Sequence, residues 1–325
     1  MRTTTIAGPL SFAALALLLA CESESHPVAP KLGLEADRFA DAEWSEPVNL
    51  GPVVNSSAVD ANAGLSPDAH TLYFVSTRPG GLGNNDIWMS RRQCLDCPWE
   101  APVNLGTPIN SDAIEGAPTM SDDGRLLFFF STRSGGFGNA DVYVSHRLST
   151  GSEGDVWGPP VNLGPDVNTA GAENGSYYVH EEGEPRAFLY FNRTPAGGSL
   201  DVYRVELTND GVPVGPAVAL PELNDPTGAD QKVAVRTDGH ELLLSSIRAG
   251  GFGNFDIWAF TRQSIHDPWS APVHLDAPIN TPDIDSQPTL SRDGRTLIFT
   301  SIRTGGFGLQ DLWMSTRTPS GKEAP

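Results

Sequence analysis

The stretch SDDGRLLFFFSTRSGGFGNADVY, residues 121–143, alternates turn chemistry with strand-sized apolar runs. Asp122-Asp123-Gly124 and Gly135 to Gly138 supply residues that tolerate the positive φ of tight hairpins. Leu126 to Ser131 lies between these turns and Val142 to Val144 follows the second, so the reading is strand, turn, strand. Pro118 to Met120 leads into the first turn, and WGPPVNL (Trp157 to Leu163) supplies a further run. Four short strands separated in this way make one blade of a β-propeller.

The same marks recur along the chain. WEAPVNL (Trp99 to Leu105) returns as Trp44 to Leu50, Trp157 to Leu163 and Trp269 to Leu275, with a degenerate copy at Val214 to Leu220. An Asp two residues before a Trp or Tyr stands at Asp86, Asp141, Asp201, Asp256 and Asp311, at spacings of 55, 60, 55 and 55. Ser-x-Asp-Gly-like turns occur at Ser66 to Ala69, Ser121 to Gly124, Thr237 to Gly239 and Ser291 to Gly294. The third copy has His180 to Pro185 there instead, and Arg-x-Gly-Gly-Phe-Gly appears at Arg133, Arg248 and Arg303. The chain enters on a fourth strand (Trp44 to Leu50) and ends on a third (Asp311 to Thr316). The N-terminal strand can therefore complete the last blade and cover its bare edge. The expected fold is all-β: a five-bladed propeller of four-stranded antiparallel blades over residues 44–317.

These motifs resemble the PD40, or WD40-like, repeats found in TolB and in many bacterial surface and periplasmic proteins. The likeness rests on the Ser-Pro-Asp and Asp-Asp-Gly turns, the Leu-x-Phe-x-Ser-x-Arg strand and the Gly-Gly-x-Gly-x-x-Asp-x-Trp/Tyr hairpin. It implies a binding or scaffolding module. Some relatives are fused to peptidases, for which 325 residues leave no room, and some resemble oligogalacturonate lyases.

Composition agrees with this reading. With 34 Gly and 27 Pro, long helices are disfavoured. A net charge of -19 repels phosphate backbones and argues against nucleic acid as a partner. Three cysteines are too few for a disulfide framework. Residues 1–20 read as a signal peptide, with Arg2 before an apolar run. The run ends in Leu18-Leu19-Ala20-Cys21, which looks like a lipobox and marks Cys21 for lipidation. Residues 21–43 read as a flexible tether and 318–325 as a disordered tail. The expected product is an exported monomer, held to a bacterial membrane through Cys21, with the outer membrane as its site.

Candidate site residues follow from the repeat. Each unit has an acid before its first strand (Asp60, Glu115, Glu173, Asp230, Asp285) and an Arg closing its second (Arg78, Arg133, Arg193, Arg248, Arg303). The acid-to-Arg spacing is 18, or 20 in the third unit, and the third-strand Asp follows each Arg by eight. Antiparallel pairing brings these positions to one end, so a carboxylate–guanidinium–carboxylate cluster is expected in every blade. Two readings compete: a structural clamp, and a negative binding rim at the channel mouth formed by the five leading acids. Regular repetition favours the clamp.

The Gly-Gly-Phe-Gly loops read as hairpin turns, since neither a helix nor a Lys follows them to make a phosphate site. Leu82, Phe137, Phe252 and Phe307 within them are expected against neighbouring blades, and all seven Trp are expected in the core. The third unit, with Gly198 at this loop position, is the expected point of asymmetry. Cys94 and Cys97 sit in a loop whose sister, Arg262 to Trp269, has no thiol; a local disulfide is expected. No metal-spaced ligand set, cofactor motif or nucleophile elbow is present, so no metal, cofactor or catalytic residue is assigned. The function expected is non-enzymatic: presentation of a rigid propeller to envelope proteins or glycans. The alternative is a carbohydrate-active lyase or glycosidase using acids at the channel mouth.

Overall fold

Five antiparallel sheets follow one another in the computed structural model, which describes residues 42–151, 154–194 and 198–318 together with Met1. The expected leader, Cys21, nearly all of the tether and the tail beyond residue 318 lie outside the described residues. Blade one comprises Asp60–Leu65, Thr71–Ser76, Asp86–Arg91 and Val103–Asn104. Blades two to four repeat this order, beginning at Glu115, Ala172 and Asp230. Blade five takes Asp285–Leu290, Thr296–Ser301 and Asp311–Thr316 from the C-terminal end and Val48–Asn49 from the N-terminal one. Val48 pairs with Met314 and Asn49 with Trp313, so the ring closes as the order of repeats requires.

Each blade is packed on both faces. Second strands therefore lack alternation: Leu126–Ser131 and Glu241–Ser246 are buried along almost their whole length. Phe128, Phe129, Leu243 and Phe299 have no exposed surface, and fully burying a side chain of this kind contributes roughly 1.5–3 kcal/mol. Five Trp (88, 157, 258, 269, 313) are buried, and Trp44 and Trp99 pack on the core's edge. Arginines lie over several of these rings, as Arg262 does over Trp269 at 4.1 Å and Arg317 over Trp44 at 4.3 Å. Turn glycines take the left-handed backbone expected of them, Gly124 at φ 69° and Gly135 at φ 89°.

The inner strands share a further regularity. Every inner strand carries a β-bulge, and at its centre stands a residue with positive φ: Asn62 (56°), Ala117 (47°), Gly175 (62°), Lys232 (32°) and Gln287 (55°). Four of the five are not glycine, at a cost of order 1–3 kcal/mol each. Bulges add local twist, and here they ring the propeller axis where the five inner strands converge.

Candidate functional site

At the end of the disc where the inner strands begin, acid and arginine meet in all five blades. Arg78 reaches Asp60 at 2.6 Å, Arg133 Glu115 at 3.2 Å, Arg193 Glu173 at 3.0 Å, Arg248 Asp230 at 2.7 Å and Arg303 Asp285 at 2.6 Å. The guanidinium also donates to a carbonyl of the preceding loop, as Arg193 does to Val167 at 2.7 Å and Arg248 to Leu223 at 2.6 Å. All five acids are 0% exposed. Asp60 accepts further bonds from Ser56, Glu115 from Ser111, Glu173 from Thr169 and Asp285 from Thr281. The acids are thus fully engaged inside the protein, and none is open to a partner.

The third-strand aspartates do not complete a three-part cluster. Asp86, Asp141, Asp256 and Asp311 accept instead from loop amides, for example Phe137 N–H at 2.6 Å and Gly138 N–H at 3.1 Å on Asp141. They also take the outer-strand Asn: Asn49 Nδ2 donates to Asp311 at 2.9 Å and Asn104 Nδ2 to Asp86 at 2.8 Å. Asp201 accepts from Ser199 instead. The physical reason is demand: the tight Gly-Gly-x-Gly turn leaves two N–H groups that need an acceptor, and the Asp four residues on is nearest. The Asn of the Trp-x-x-Pro-Val-Asn-Leu motif thereby ties the outer strand to the third. The loop side chains Leu82, Phe137, Phe252 and Phe307 are about half exposed, contrary to the expected packing between blades. Cys94 and Cys97 form the expected disulfide.

The opposite mouth breaks the repeat's symmetry. The variable residue of Ser-x-Asp-Gly is Pro67, Asp122, Thr237 or Arg292, and His180 stands at the corresponding place in blade three. Asp122 of blade two and Arg292 of blade five meet across the axis at 2.8 Å. Thr237 Oγ1 donates to the Arg292 carbonyl at 2.7 Å. Burial pushes the Asp122 carboxyl above the usual carboxylate range, against the pull of Arg292 and His180. Tyr178 stands beside the Asp122 backbone, stacks on Phe128 at 5.7 Å, and has its hydroxyl pushed up to about 12 by burial. The small hollow here, about 40 Å³, is lined by Pro67, Asp122, Tyr178, Thr237 and Arg292 among others. Sequence reasoning quoted these turns but passed over x, although variation at one place in an otherwise constant turn was the available signal.

Deeper on the axis, Lys232 Nζ of blade four donates to the Ala63 carbonyl of blade one at 2.6 Å. Lys232 is 1% exposed, and burial lowers its ammonium to about 7. Both Lys232 and the Asp122–Arg292 pair thus cross the axis.

A larger cleft of about 670 Å³ opens beside the mouth, between blades one and two, and shares Ser66, Pro67, Met120 and Asp122 with it. One wall comes from a hairpin of blade two, whose third strand runs on over Asp141–Gly151 and returns as Gly154–Trp157. Asp68 and Asp123 also line the cleft. Burial works to raise both carboxyls, but the Ser66 hydroxyl and His70 amide hold Asp68 below the usual range, and Ser121 and Arg125 do so for Asp123. Among the described residues no group of three His, Cys, Asp or Glu is placed to hold a metal ion.

No family model matches the chain, and no curated protein matches it in sequence. Solved structures do share its fold. An α-L-arabinofuranosidase from Lactobacillus brevis is 15% identical over 85% of this chain and 97% of its own, at a TM-score of 0.56. An endo-arabinase from Bacteroides thetaiotaomicron is 15% identical over 86% of this chain and 100% of its own, at 0.54. TolB from Acinetobacter baumannii reaches only 0.47, over 80% of this chain and 55% of its own, at 17% identity. The first two superpositions establish a shared propeller fold. They also correct the expected non-enzymatic scaffold, which rested on the likeness to TolB-type repeats. The propellers that superpose well are named as an α-L-arabinofuranosidase and an endo-arabinase, not as binding scaffolds.

Proposed function

We propose that the chain is a carbohydrate-active enzyme whose reacting groups lie at the Asp122 mouth and in the cleft beside it, not at the buried acid rim. Glycoside hydrolysis needs a carboxyl that delivers a proton to the leaving oxygen and a second, ionised carboxylate. Two carboxyls whose surroundings drive their protonation apart are suited to that division of labour. The observation that carries the reading is that Asp122 is raised by burial while Asp68, in the same cleft, is held ionised. Asp122 acts as the acid and Asp68 as its ionised partner, with Tyr178 as a flat surface beside the sugar. The names of the fold's neighbours make arabinose-containing glycans the first substrates to try. Reducing-end release from such polysaccharides, compared between the chain and Asp122→Asn, tests the assignment. Release by the unaltered protein that is lost in Asp122→Asn supports it, and equal release by both sinks it.

The repeats remain, on the motifs quoted above, of the PD40 type, and the chain is exported and lipid-anchored at Cys21. Membrane fractionation tests the anchor: Cys21→Ala should move the protein to the soluble fraction, and unchanged partition would count against lipidation.

A further inference from the structure

Among the described residues, the hairpin of blade two is the one place where a third strand outgrows its blade. Third strands elsewhere are six or seven residues, against 11 here. Its end is latched to blade one by a compact polar cluster. Arg91 of blade one donates to Asp155 at 3.0 Å and to the Gly151 carbonyl at 3.2 Å. Asp155 also faces Arg147 at 3.4 Å and accepts from the Tyr73 hydroxyl at 3.1 Å. Arg147 lies over Trp157 at 5.1 Å, and its Nε is buried without a partner. Arg91, Arg147, Thr150 and Asp155 all line the cleft that begins at Asp122.

We infer that this cleft is a set of sugar-binding subsites that takes a glycan chain running outward from the Asp122 mouth, so that the ligand is an oligosaccharide and not a single sugar. The inference rests on the proposed carbohydrate activity and deepens it. A volume of about 670 Å³ falls within the roughly 300–1,000 Å³ of sites that enclose small ligands and exceeds what one sugar ring occupies. The lining mixes donors (Arg91, Arg147) with acceptors (Asp68, Asp155) and hydroxyls (Ser66, Thr71, Thr150). That mixture suits a polyhydroxy chain, whose every ring offers both, better than an apolar or singly charged ligand. The latch keeps the wall in place before ligand arrives, which lowers the ordering cost of binding.

The test is calorimetric titration of the full chain bearing Asp122→Asn, so that ligand is not consumed, with linear 1,5-linked arabinose mono- to pentasaccharides. Affinity should rise at least about tenfold from mono- to tetrasaccharide, and Arg91→Gln with Asp155→Asn should flatten that rise while the monosaccharide binds as before. Should the latch variant unfold, Thr150→Trp, which fills the cleft from an exposed position opposite Asp155 and removes none of the latch's charged groups, gives the same comparison. Affinity independent of chain length, or a rise unchanged by the variants, overturns the inference while the unaltered protein's turnover leaves the proposed function standing. Failure of every sugar to bind, with no turnover, overturns both. Arg91-dependent binding of an extended peptide in place of any sugar would assign the cleft to a protein partner and overturn the inference.

Discussion

Asp122 and Arg292 come from non-adjacent blades and meet across the propeller axis at 2.8 Å, closing over the axis at the mouth where the inner strands end. Beneath them Lys232 reaches across the same axis to the Ala63 carbonyl. Both ties depend on residues that occur in one blade only, whereas the acid–arginine pairs at the opposite end recur in all five. Repetition therefore marks what holds the disc together, and departure from repetition marks what distinguishes this disc from others.

Asp122→Asn should lower glycan turnover by roughly 10²–10⁴, the usual worth of a positioned general acid. Folding stability should barely change. Asn keeps the volume of Asp122 and an oxygen to accept from Arg292, whose side chain is 47% exposed, and pairs with an exposed partner contribute about 0–1 kcal/mol. Because burial raises the Asp122 carboxyl and the acid acts in its protonated form, the rate should fall as pH rises through that raised value. Initial rates across pH, with a melting curve for each variant, check all three statements.

Lys232→Met should stabilise the fold at neutral pH and below. The folded chain loses the Lys232 proton near pH 7, the unfolded chain near the ordinary value of 10.5. Between these values the unfolded state binds more protons, so stability rises with pH across that window. The variant removes this slope and gains a few kcal/mol at the acid end. Urea denaturation at several pH values measures it, and an unchanged slope would contradict the burial argument.

Arg248→Met should destabilise by about 3–5 kcal/mol, because Asp230 is left buried without its cation. Adding Asp230→Asn should recover part of that loss. Chemical denaturation of the two variants decides the matter. A shift below about 1 kcal/mol in the single variant would mean that the pair behaves as a surface ion pair.

Much of this molecule is legible in its sequence, and what is hidden has a physical reason. Turn residues and apolar runs place four strands in each blade, and the order of motifs requires Val48–Asn49 to close blade five. The spacing of 18 brings Asp230 to Arg248 because antiparallel pairing leaves no other register. Loop amides are invisible to side-chain spacing, so Asp141 looked like a partner for Arg133 when its oxygens serve Phe137 and Gly138 N–H. The inner bulges at Ala117 and Lys232 also escape, since nothing in those side chains signals positive φ. Gly198 pointed to blade three as the place of asymmetry, and the spacing from Asp141 to Asp201 is the longest of its kind. Part of it lies in blade two, where Asp141 to Asn162 spans 21 positions against 18 from Asp86 to Asn104, and those residues build the cleft wall.

Reducing the Cys94–Cys97 disulfide should have only a local effect. The bridge closes a loop with a sequence separation of 3, for which loop-closure entropy gives at most about 2 kcal/mol. Melting curves with and without reductant should differ by a few degrees and retain one transition.

The most direct test of the central claim is reducing-end release from arabinan by the full chain beside its Asp122→Asn variant, under identical conditions. Measurable release by the unaltered chain, abolished by Asp122→Asn with the melting curve unchanged, is the predicted result. Release that survives the substitution, or no release from any glycan by the unaltered chain, would contradict it.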